Sequence, residues 1–326
     1  MKRRATVAGA GGFIGHHLVR YLKAAGYWVR GADVKEPEYE ETQADEFVIA
    51  DLTSFDSART ATADVDEVYQ LSADMGGIGY ISAFHADVAR KNVLMNAHML
   101  EASHLSGVGR FFFASSACVY PMYRQSDPDV TALMEEDAYP ADPEPGYGWE
   151  KLFAEQLCGY YNDEGKLETR VARFHNIYGP FGTYDGGREK APAAICRKVA
   201  SATDGDEIEV WGDGAQTRSY CYIADCVEGI HRIMRSDHAD PFNLGSEELV
   251  TVDELVDMVC EIAGKTLKRR HETGRPQGVR GRNSDNSRLR KVLDWEPTTH
   301  LRDGLTETYA WIAGRVREDP AIRVAS

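Results

Sequence analysis

Tyr147 and Lys151 lie four residues apart in a segment with helical spacing, so both side chains fall on one helix face. A nearby ammonium group lowers the pKa of a phenol from its usual value of about 10, and Tyr147 could then exchange a proton with a hydroxyl group near neutral pH. Such a pair is common and is usually a solvated helix face. Ser115 and Ser116, which end the preceding predicted strand, add weight to a catalytic interpretation, as does a glycine motif near the start of the chain.

That motif is formed by Gly9, Gly12 and Gly15, which follow a short apolar strand and open a helix, the context that dinucleotide binding requires. Without β-carbons the backbone can turn sharply and approach a pyrophosphate, and the helix N-terminus offers free N–H groups. Asp33 ends the second predicted strand, where its carboxylate can accept hydrogen bonds from a ribose diol and would repel a 2′-phosphate. The motif therefore predicts NAD rather than NADP, with a simple glycine-rich turn as the alternative.

Cys118 is a candidate base for removing a proton from carbon. It lies two residues beyond Ser116, and in an extended segment this spacing directs both side chains to the same side, toward the cofactor. A thiol with a usual pKa of about 8.5 suits this task if a cation is close. Lys190 could be that cation and could protonate the opposite face of a sugar ring. The alternatives are a small buried hydrophobic residue for Cys118 and a solvated loop lysine for Lys190.

The elements that must position these groups alternate between strand and helix through the first half of the chain, which predicts an α/β fold with a doubly wound, Rossmann-type parallel sheet. We expect residues 1–175 to form an NAD-binding domain and residues 176–326 mainly a smaller α/β substrate lobe, with some chain exchange between them. Residues 319–326 are predicted to be a loose tail. The predicted strands are Ala5–Ala8, Trp28–Asp33, Phe47–Ala50, Glu67–Leu71, Arg110–Ser115 and Thr169–Phe174. The predicted helices are Phe13–Ala25, Ile81–Ser106, Tyr147–Tyr161, Val252–Ala263 and Leu301–Arg317.

Composition narrows the classes of protein that fit. The 326 residues are 43% hydrophobic and 27% charged, which is typical of a globular protein. A net charge of -15 argues against binding nucleic acid or an anionic membrane, and no apolar run reaches the roughly 20 residues of a membrane span. The six cysteines are scattered, without a Cys-x-x-Cys pair, so we expect a reduced, cytoplasmic setting, no targeting segment and no metal site.

The glycines, Asp33, Ser116, Tyr147 and Lys151 together resemble the extended short-chain dehydrogenase/reductase family. This resemblance implies NAD-dependent hydride transfer at a hydroxyl of a nucleotide sugar, with Ser116 and Tyr147 hydrogen-bonded to the reacting oxygen. Further segments are similar to the branch of that family that epimerises GDP-mannose at carbons 3 and 5, and they favour the catalytic interpretation of Cys118 and Lys190. These segments are residues 73–77, 115–121, 174–180, 186–194 and 278–286.

The resemblance also implies which residues bind the two ligands. The implied cofactor residues are Gly9, Gly12, Phe13, Ile14, Gly15, Asp33, Asp51, Leu52, Ala73, Tyr147 and Lys151. The implied substrate residues are Met75, Gly76, Gly77, Ser116, Asn176, Glu189, Lys190, Ala191, Lys198, Trp211, Gln216, Arg218 and Arg280. Arg218 would meet a phosphate as a guanidinium fork, with Arg280 and Arg282 adding positive charge. A homodimer through the helices Ile81–Ser106 and Tyr147–Tyr161 is also implied.

The reaction implied is conversion of GDP-D-mannose to GDP-L-galactose, or to GDP-L-gulose if only carbon 5 inverts. Oxidation at carbon 4 must come first, because only a ketone makes the hydrogens on carbons 3 and 5 acidic enough for a side chain to remove. Related 4,6-dehydratases place an Asp-Glu pair after the position of Ser116, where this chain has Ala117 and Cys118. The alternatives are another nucleotide-sugar epimerase or reductase of the same superfamily, and a non-catalytic NAD-binding regulator.

Overall fold

The computed structural model describes residues 2–275 and 277–319, so most of the predicted tail lies outside the described residues. These residues contain fourteen strands: β1 (Arg4–Ala8), β2 (Trp28–Asp33), β3 (Glu46–Ile49), β4 (Glu67–Gln70), β5 (Arg110–Ser116), β6 (Glu168–Phe174), β7 (Ile177–Tyr178), β8 (Glu207–Trp211), β9 (Thr217–Ser219), β10 (Cys221–Tyr222), β11 (Phe242–Leu244), β12 (Leu249–Thr251), β13 (Lys268–Glu272) and β14 (Gly281–Arg282).

The described residues also form ten α-helices: α1 (Phe13–Ala24), α2 (Phe55–Thr62), α3 (Ile78–Ala83), α4 (His85–Leu105), α5 (Tyr147–Asp163), α6 (Ala191–Ser201), α7 (Ile223–Arg235), α8 (Val252–Ala263), α9 (Ser287–Leu293) and α10 (Leu301–Glu318). No helix within these residues combines the length and apolar character needed to cross a bilayer.

Seven parallel strands form the central sheet, in the order β11-β6-β5-β4-β1-β2-β3. Successive side chains of a strand point to opposite faces, so Phe111 and Phe113 pack with α2, α4 and α5 while Phe112 packs with α1 and α7. Helices therefore cover both faces, as a buried parallel sheet requires. The predicted Rossmann-type sheet is confirmed, and the six predicted strands all lie in it.

The second half of the chain builds a smaller layer beside the carboxyl ends of this sheet. Its strands form short sheets, β12-β9-β14 and β13-β8, and its helices α6, α8 and α10 pack together. One strand from beyond residue 176 returns to the large sheet, where Phe242 of β11 pairs in register with Ala172 of β6. The division into domains at residue 176 stays a prediction.

One predicted helix is wrong in its extent. The pattern indicated a single helix over Ile81–Ser106, but the backbone leaves the helical region at Phe84 (φ -130°, ψ 39°) and separates α3 from α4. The rings of Tyr80 and Phe84 pack 5.1 Å apart at this corner. The break has no local signal, since residues 82–86 contain no glycine or proline and Phe84 is as apolar as a continuous helix would require.

Candidate functional site

A cavity of about 780 Å³ lies at the carboxyl ends of the central strands, between the sheet and the second layer. Carboxyl ends of parallel strands are where open α/β sheets bind ligands. All of the predicted cofactor residues line it, together with several of the predicted substrate residues: Gly9, Gly12, Phe13, Ile14, Gly15, Asp33, Asp51, Leu52, Ala73, Tyr147 and Lys151, and Met75, Gly76, Ser116 and Lys190.

The glycine turn at one end of the cavity is shaped for a dinucleotide. Gly9 has a φ of +84°, and a β-carbon at Gly15 would lie 2.0 Å from the Gly9 carbonyl oxygen, so neither position tolerates a side chain. Helix α1 begins at Gly12 without a side-chain cap from the described residues, which leaves its first N–H groups to bind an anion. These features fit the pyrophosphate of NAD.

Asp33 lies at the end of β2, with its carboxylate in an orientation set by backbone hydrogen bonds. Its carboxylate accepts hydrogen bonds from the N–H groups of Gly11 (3.0 Å) and Val34 (2.6 Å), which fix its orientation. Burial raises the pKa of this carboxyl, while the backbone hydrogen bonds oppose the shift. An oriented carboxylate at this place can accept hydrogen bonds from the ribose diol of NAD.

Ser116, Tyr147 and Lys151 meet in the middle of the cavity. Tyr147 and Lys151 are 5% and 3% exposed, and both line the cavity together with Ser116. The Lys151 ammonium lies 5.5 Å from the Tyr147 ring centroid, 4.8 Å from that of Phe113 and 3.9 Å from the Glu150 carboxylate. A buried Glu150 is itself satisfied by the amides of Asn92 and Asn96.

The expected lowering of the Tyr147 pKa is wrong for this structure. Burial is the largest influence and raises the pKa of Tyr147, and the nearby Cys118 and Glu150 raise it further. The positive charge of Lys151 is offset by the adjacent Glu150 carboxylate. Tyr147 is therefore a neutral phenol here, set to donate a hydrogen bond to an oxygen in the cavity.

The backbone around Cys118 also differs from the expectation. Residues Ala117–Val119 form a 3₁₀ turn instead of an extended segment, and Ser116 Oγ caps this turn by accepting a hydrogen bond from the Cys118 N–H at 3.2 Å. The alternation argument that placed both side chains on one side was therefore wrong. Cys118 nevertheless packs against Tyr147, because the turn itself brings the thiol back toward the first turn of α5.

The cation in contact with Cys118 is Arg282, which we had expected to bind a diphosphate. Its Nη1 lies 3.6 Å from the Cys118 Sγ, and its other nitrogens bind Gln125 and Glu144. Burial raises the pKa of the Cys118 thiol, Glu144 raises it further, and Arg282 lowers it. Arg282 is 6% exposed, so this guanidinium serves the thiol and not an exposed phosphate site.

Lys190 lines the cavity and is an exposed residue there. The protein atoms around its ammonium group lower its pKa by desolvation, while the charge of a Cys118 thiolate would raise it. Cys118 and Lys190 are thus close enough for their charges to interact, and Cys118 packs against Tyr147. An amine with a lowered pKa can both hold and release a proton near neutral pH.

Other predicted substrate residues lie outside the lining of this cavity, as far as the described residues show, and most use their polar groups within the protein. Arg280 forms an ion pair with Asp213 at 3.0 Å, and Arg218 donates to the carbonyls of Thr217 and Val279. Burial lowers the pKa of Arg218 to about 10. Their roles stay predictions. The residues concerned are Gly77, Asn176, Glu189, Ala191, Lys198, Trp211, Gln216, Arg218 and Arg280.

Sequence reasoning missed residues that join the site from distant segments. Gln125 and Glu144 hold Arg282 across more than 130 positions, and no local pattern indicates such contacts. At the mouth of the cavity, Asp74 binds Lys91 at 3.0 Å, and the guanidinium of Arg188 stacks on the Tyr80 ring. Within residues 2–275 and 277–319, no group of three or more His, Cys, Asp or Glu side chains is placed to hold a metal ion.

Residues 5–245 match the NAD dependent epimerase/dehydratase family. GDP-mannose 3,5-epimerase 1 of Oryza sativa subsp. indica is 46% identical over 320 residues, covering 98% of this chain and 84% of the rice protein. GDP-mannose 3,5-epimerase of Arabidopsis thaliana is 45% identical with the same coverage. The dTDP-4-dehydro-6-deoxy-D-allose reductase of Streptomyces bikiniensis is 30% identical over 97% of this chain and 98% of its own.

Solved structures give the same fold. UDP-glucuronic acid 4-epimerase from Bacillus cereus, in complex with UDP-glucuronic acid and NAD, has a TM-score of 0.82 and 25% identity, covering 96% of this chain and 99% of its own. UDP-glucose 4-epimerase from Thermotoga maritima has a TM-score of 0.87 at 24% identity, covering 96% and 99%. The predictions of a Rossmann-type fold, an enzyme and an NAD cofactor are confirmed. This chain belongs to the NAD-dependent epimerase/dehydratase family.

Proposed function

We propose that this protein converts GDP-D-mannose to GDP-L-galactose by inverting carbons 3 and 5, with GDP-L-gulose formed when only carbon 5 inverts. The observation that carries the proposal is the packing of Cys118 against Tyr147, with Lys190 close enough to Cys118 for their charges to interact, which supplies two proton-transfer groups for carbon in addition to the tyrosine that serves the oxygen. The rice and Arabidopsis relatives named GDP-mannose 3,5-epimerase support the choice of substrate.

Inversion of the configuration at a ring carbon requires more than a base. A hydrogen on an unactivated sugar carbon is far too weakly acidic for any side chain, whereas one beside a ketone is within reach of a thiolate or an amine. NAD, when bound, supplies this activation by accepting a hydride from carbon 4 and later returning it. The reaction is then redox-neutral overall.

Tyr147 manages the proton of the hydroxyl on carbon 4. For the oxidation Tyr147 must first release its own proton to solvent, and the positive charge of Lys151, buried against Phe113 and Glu150, would favour the phenolate that results. The phenolate oxygen would accept the proton of the hydroxyl as the carbonyl forms and give it back when the alcohol is restored. The Ser116 hydroxyl, which lines the same cavity, would hold the sugar oxygen in place, and Lys151 would also bind the nicotinamide ribose.

Cys118 and Lys190 move the protons on carbon. A base takes the hydrogen from one face of the ring and an acid delivers a proton to the other, which inverts the carbon. Arg282 favours the thiolate form of Cys118 through its charge, and partial desolvation keeps Lys190 able to release a proton. The ketone at carbon 4 activates carbons 3 and 5 equally, so one pair of groups can serve both.

The GDP portion would lie against the second layer of the chain. Arg218 and Arg280 provide guanidinium groups for the diphosphate, although Arg280 would have to exchange its ion pair with Asp213 for a phosphate. Trp211 offers a ring, 39% exposed, for stacking on a base. We propose that the residues implied by the family resemblance bind the substrate.

We also propose a cytoplasmic homodimer. Trp149, Phe153 and Tyr160 are each more than half exposed on one side of α5, which packs against α4. An exposed aromatic stripe on paired helices is typical of an interface between copies of a chain. All six cysteines are free and buried in the described chain, which suits a reducing compartment.

Incubation of the purified protein with GDP-mannose, followed by chromatography and NMR of the sugars, tests the substrate and the reaction together. We expect GDP-galactose to form, with or without GDP-gulose, and no net formation of NADH. Accumulation of NADH or loss of water from the sugar would indicate a reductase or a dehydratase. An unchanged sugar, with NAD still bound, would indicate a regulator.

A further inference from the structure

Glu144 is a partly buried residue that the reaction scheme does not use, and it lies where three parts of the site meet. Its N–H donates to the Cys118 carbonyl oxygen at 3.0 Å, and its own carbonyl accepts from the N–H of Gly148 at 3.0 Å, in the first turn of α5. Its backbone therefore joins the turn that carries Cys118 to the helix that carries Tyr147.

The side chain of Glu144 reaches a third segment. Its Oε1 accepts a hydrogen bond from Arg282 Nη2 at 2.5 Å, while Arg282 Nε donates to Gln125 Oε1 at 2.6 Å. These two bonds fix the plane of the guanidinium and leave Nη1 at 3.6 Å from the Cys118 Sγ. The side chains of Arg282 and Glu144 are only 7% and 13% exposed, so water screens this charge pair weakly.

The charges around the thiol come from every element packed against it. Arg282 contributes a positive charge from β14, Glu144 a negative charge from the loop before α5, and Lys190 a positive charge from the loop before α6. Arg218 adds a further positive charge from β9, near both Cys118 and Glu144. Ser116 and Tyr147 contribute hydroxyl groups from β5 and α5. Glu144 is the one negative group among them, within the part of the chain that the structure describes.

We propose that Glu144 is a positioning residue that holds Arg282 against Cys118 and balances its charge, so that the sulfur can both take up and release a proton. The inference rests on the proposed function, in which Cys118 must change protonation state as carbons 3 and 5 invert in turn. An Arg282 without a counter-charge would hold the sulfur as a tightly paired thiolate and oppose its use as an acid. When Glu144 balances the charge of Arg282, both the thiol and the thiolate forms of Cys118 are accessible.

The test titrates Cys118 in the full chain with NAD bound, using the NMR signal of isotope-labelled cysteine β-carbons and a Cys118→Ala variant to identify the signal. Glu144→Gln keeps the shape and an oxygen for Arg282 but removes the charge, so its titration should move down by about one pH unit. Arg282→Gln should move it up by a similar amount. The double variant should titrate near the unchanged protein.

Turnover gives a second readout. Glu144→Gln should retain most of the epimerase activity with its pH profile shifted down, whereas Glu144→Ala, which cannot hold Arg282, should lose about tenfold or more. Glu136→Gln is the matched control, because Glu136 pairs with Arg288 away from the cavity, and it should change neither readout.

A Cys118 titration in Glu144→Gln that coincides with that of the unchanged protein, or moves up, overturns the proposal. If a single variant is too unstable to titrate, the double variant decides, because neither charge is then buried without its partner. A Cys118 titration close to that of the unchanged protein supports the proposed charge balance between Glu144 and Arg282. A midpoint displaced by about one pH unit or more overturns it. The titration uses no sugar, so it is independent of whether GDP-mannose is the substrate.

Discussion

At the scale of single residues, the proposed reaction separates proton transfer to oxygen from proton transfer to carbon. Tyr147 and Ser116 would act at the sugar hydroxyl, while Cys118 and Lys190 would provide the base and the acid for the ring carbons. Each group takes its character from its neighbours: burial favours the neutral phenol and the neutral thiol, and Arg282 opposes that effect on the sulfur.

Cys118→Ala should reduce proton exchange on the sugar ring by about 10² or more, because it removes the thiol that is proposed to act as the base on the ring carbons. NAD binding should stay intact, since the cofactor residues are untouched, and fluorescence titration would check it. Cys260→Ala, a buried thiol on α8, is the control. Exchange at the normal rate in Cys118→Ala would remove the assigned role.

Tyr147→Phe should slow the oxidation of carbon 4 by about 10² to 10⁴, the usual contribution of one acid–base group. The substitution removes only the phenol oxygen and keeps the buried ring, so folding should be unaffected. Rapid-mixing measurement of transient NADH absorbance would follow the step. Tyr139→Phe, at an exposed tyrosine outside the cavity, should behave like the unchanged protein, and a fast oxidation step in Tyr147→Phe would contradict the account.

At the scale of elements, the turn from β1 into α1 determines whether the cofactor can bind. A β-carbon at Gly15 would lie 2.0 Å from the Gly9 carbonyl oxygen and would force the strand and helix apart. The strand that ends at Asp33 and the loop that carries Asp51 then approach the same space.

Gly15→Ala should therefore lower the free energy of unfolding by about 3 kcal/mol and abolish NAD binding. Gly314→Ala makes a matched control, since no atom of the described residues lies within 4 Å of a β-carbon built there in α10. It should stabilise the protein by about 0.5–1 kcal/mol. Chemical denaturation with and without NAD measures both effects. If Gly15→Ala and Gly314→Ala had the same free energy of unfolding and the same NAD binding, the glycine turn would not be tightly packed.

Elements whose signal is local could be predicted from the sequence, and contacts between distant segments could not. The continuous apolar run of Phe111, Phe112 and Phe113 indicates a strand buried on both faces. By contrast, no glycine or proline marks the break at Phe84, and the residues of the 3₁₀ turn Ala117–Val119 are as apolar as a continuing strand would be. The contact of Arg282 with Cys118 joins positions 164 apart, so the arginine could be noticed only as a positive charge in a glycine-containing loop.

At the scale of the whole molecule, the cavity is shared by the large sheet and the second layer, and the aromatic stripe of α5 faces away from it. Tyr147 begins that helix, and Phe153 and Tyr160 follow on its exposed side. Packing of α5 against a second copy would thus steady the helix that carries the catalytic tyrosine.

Phe153→Glu should convert the proposed dimer into a monomer, because a charge placed in an apolar interface is costly to desolvate. Light scattering of the purified protein gives the mass directly. Val292→Glu substitutes an exposed apolar residue on α9 and should leave the mass unchanged. A monomeric unchanged protein, or a dimer that survives Phe153→Glu, would show that this stripe is not the interface.

In the proposed reaction, a transient ketone at carbon 4 lets Cys118 and Lys190 exchange ring protons with solvent. Incubation with GDP-mannose in deuterated water, followed by NMR of the recovered sugar, would detect this exchange. We expect deuterium at carbons 3 and 5, none at carbon 4, and loss of label in Cys118→Ala. Epimerised sugar that carries no deuterium, or exchange in protein stripped of NAD, would contradict the proposed reaction.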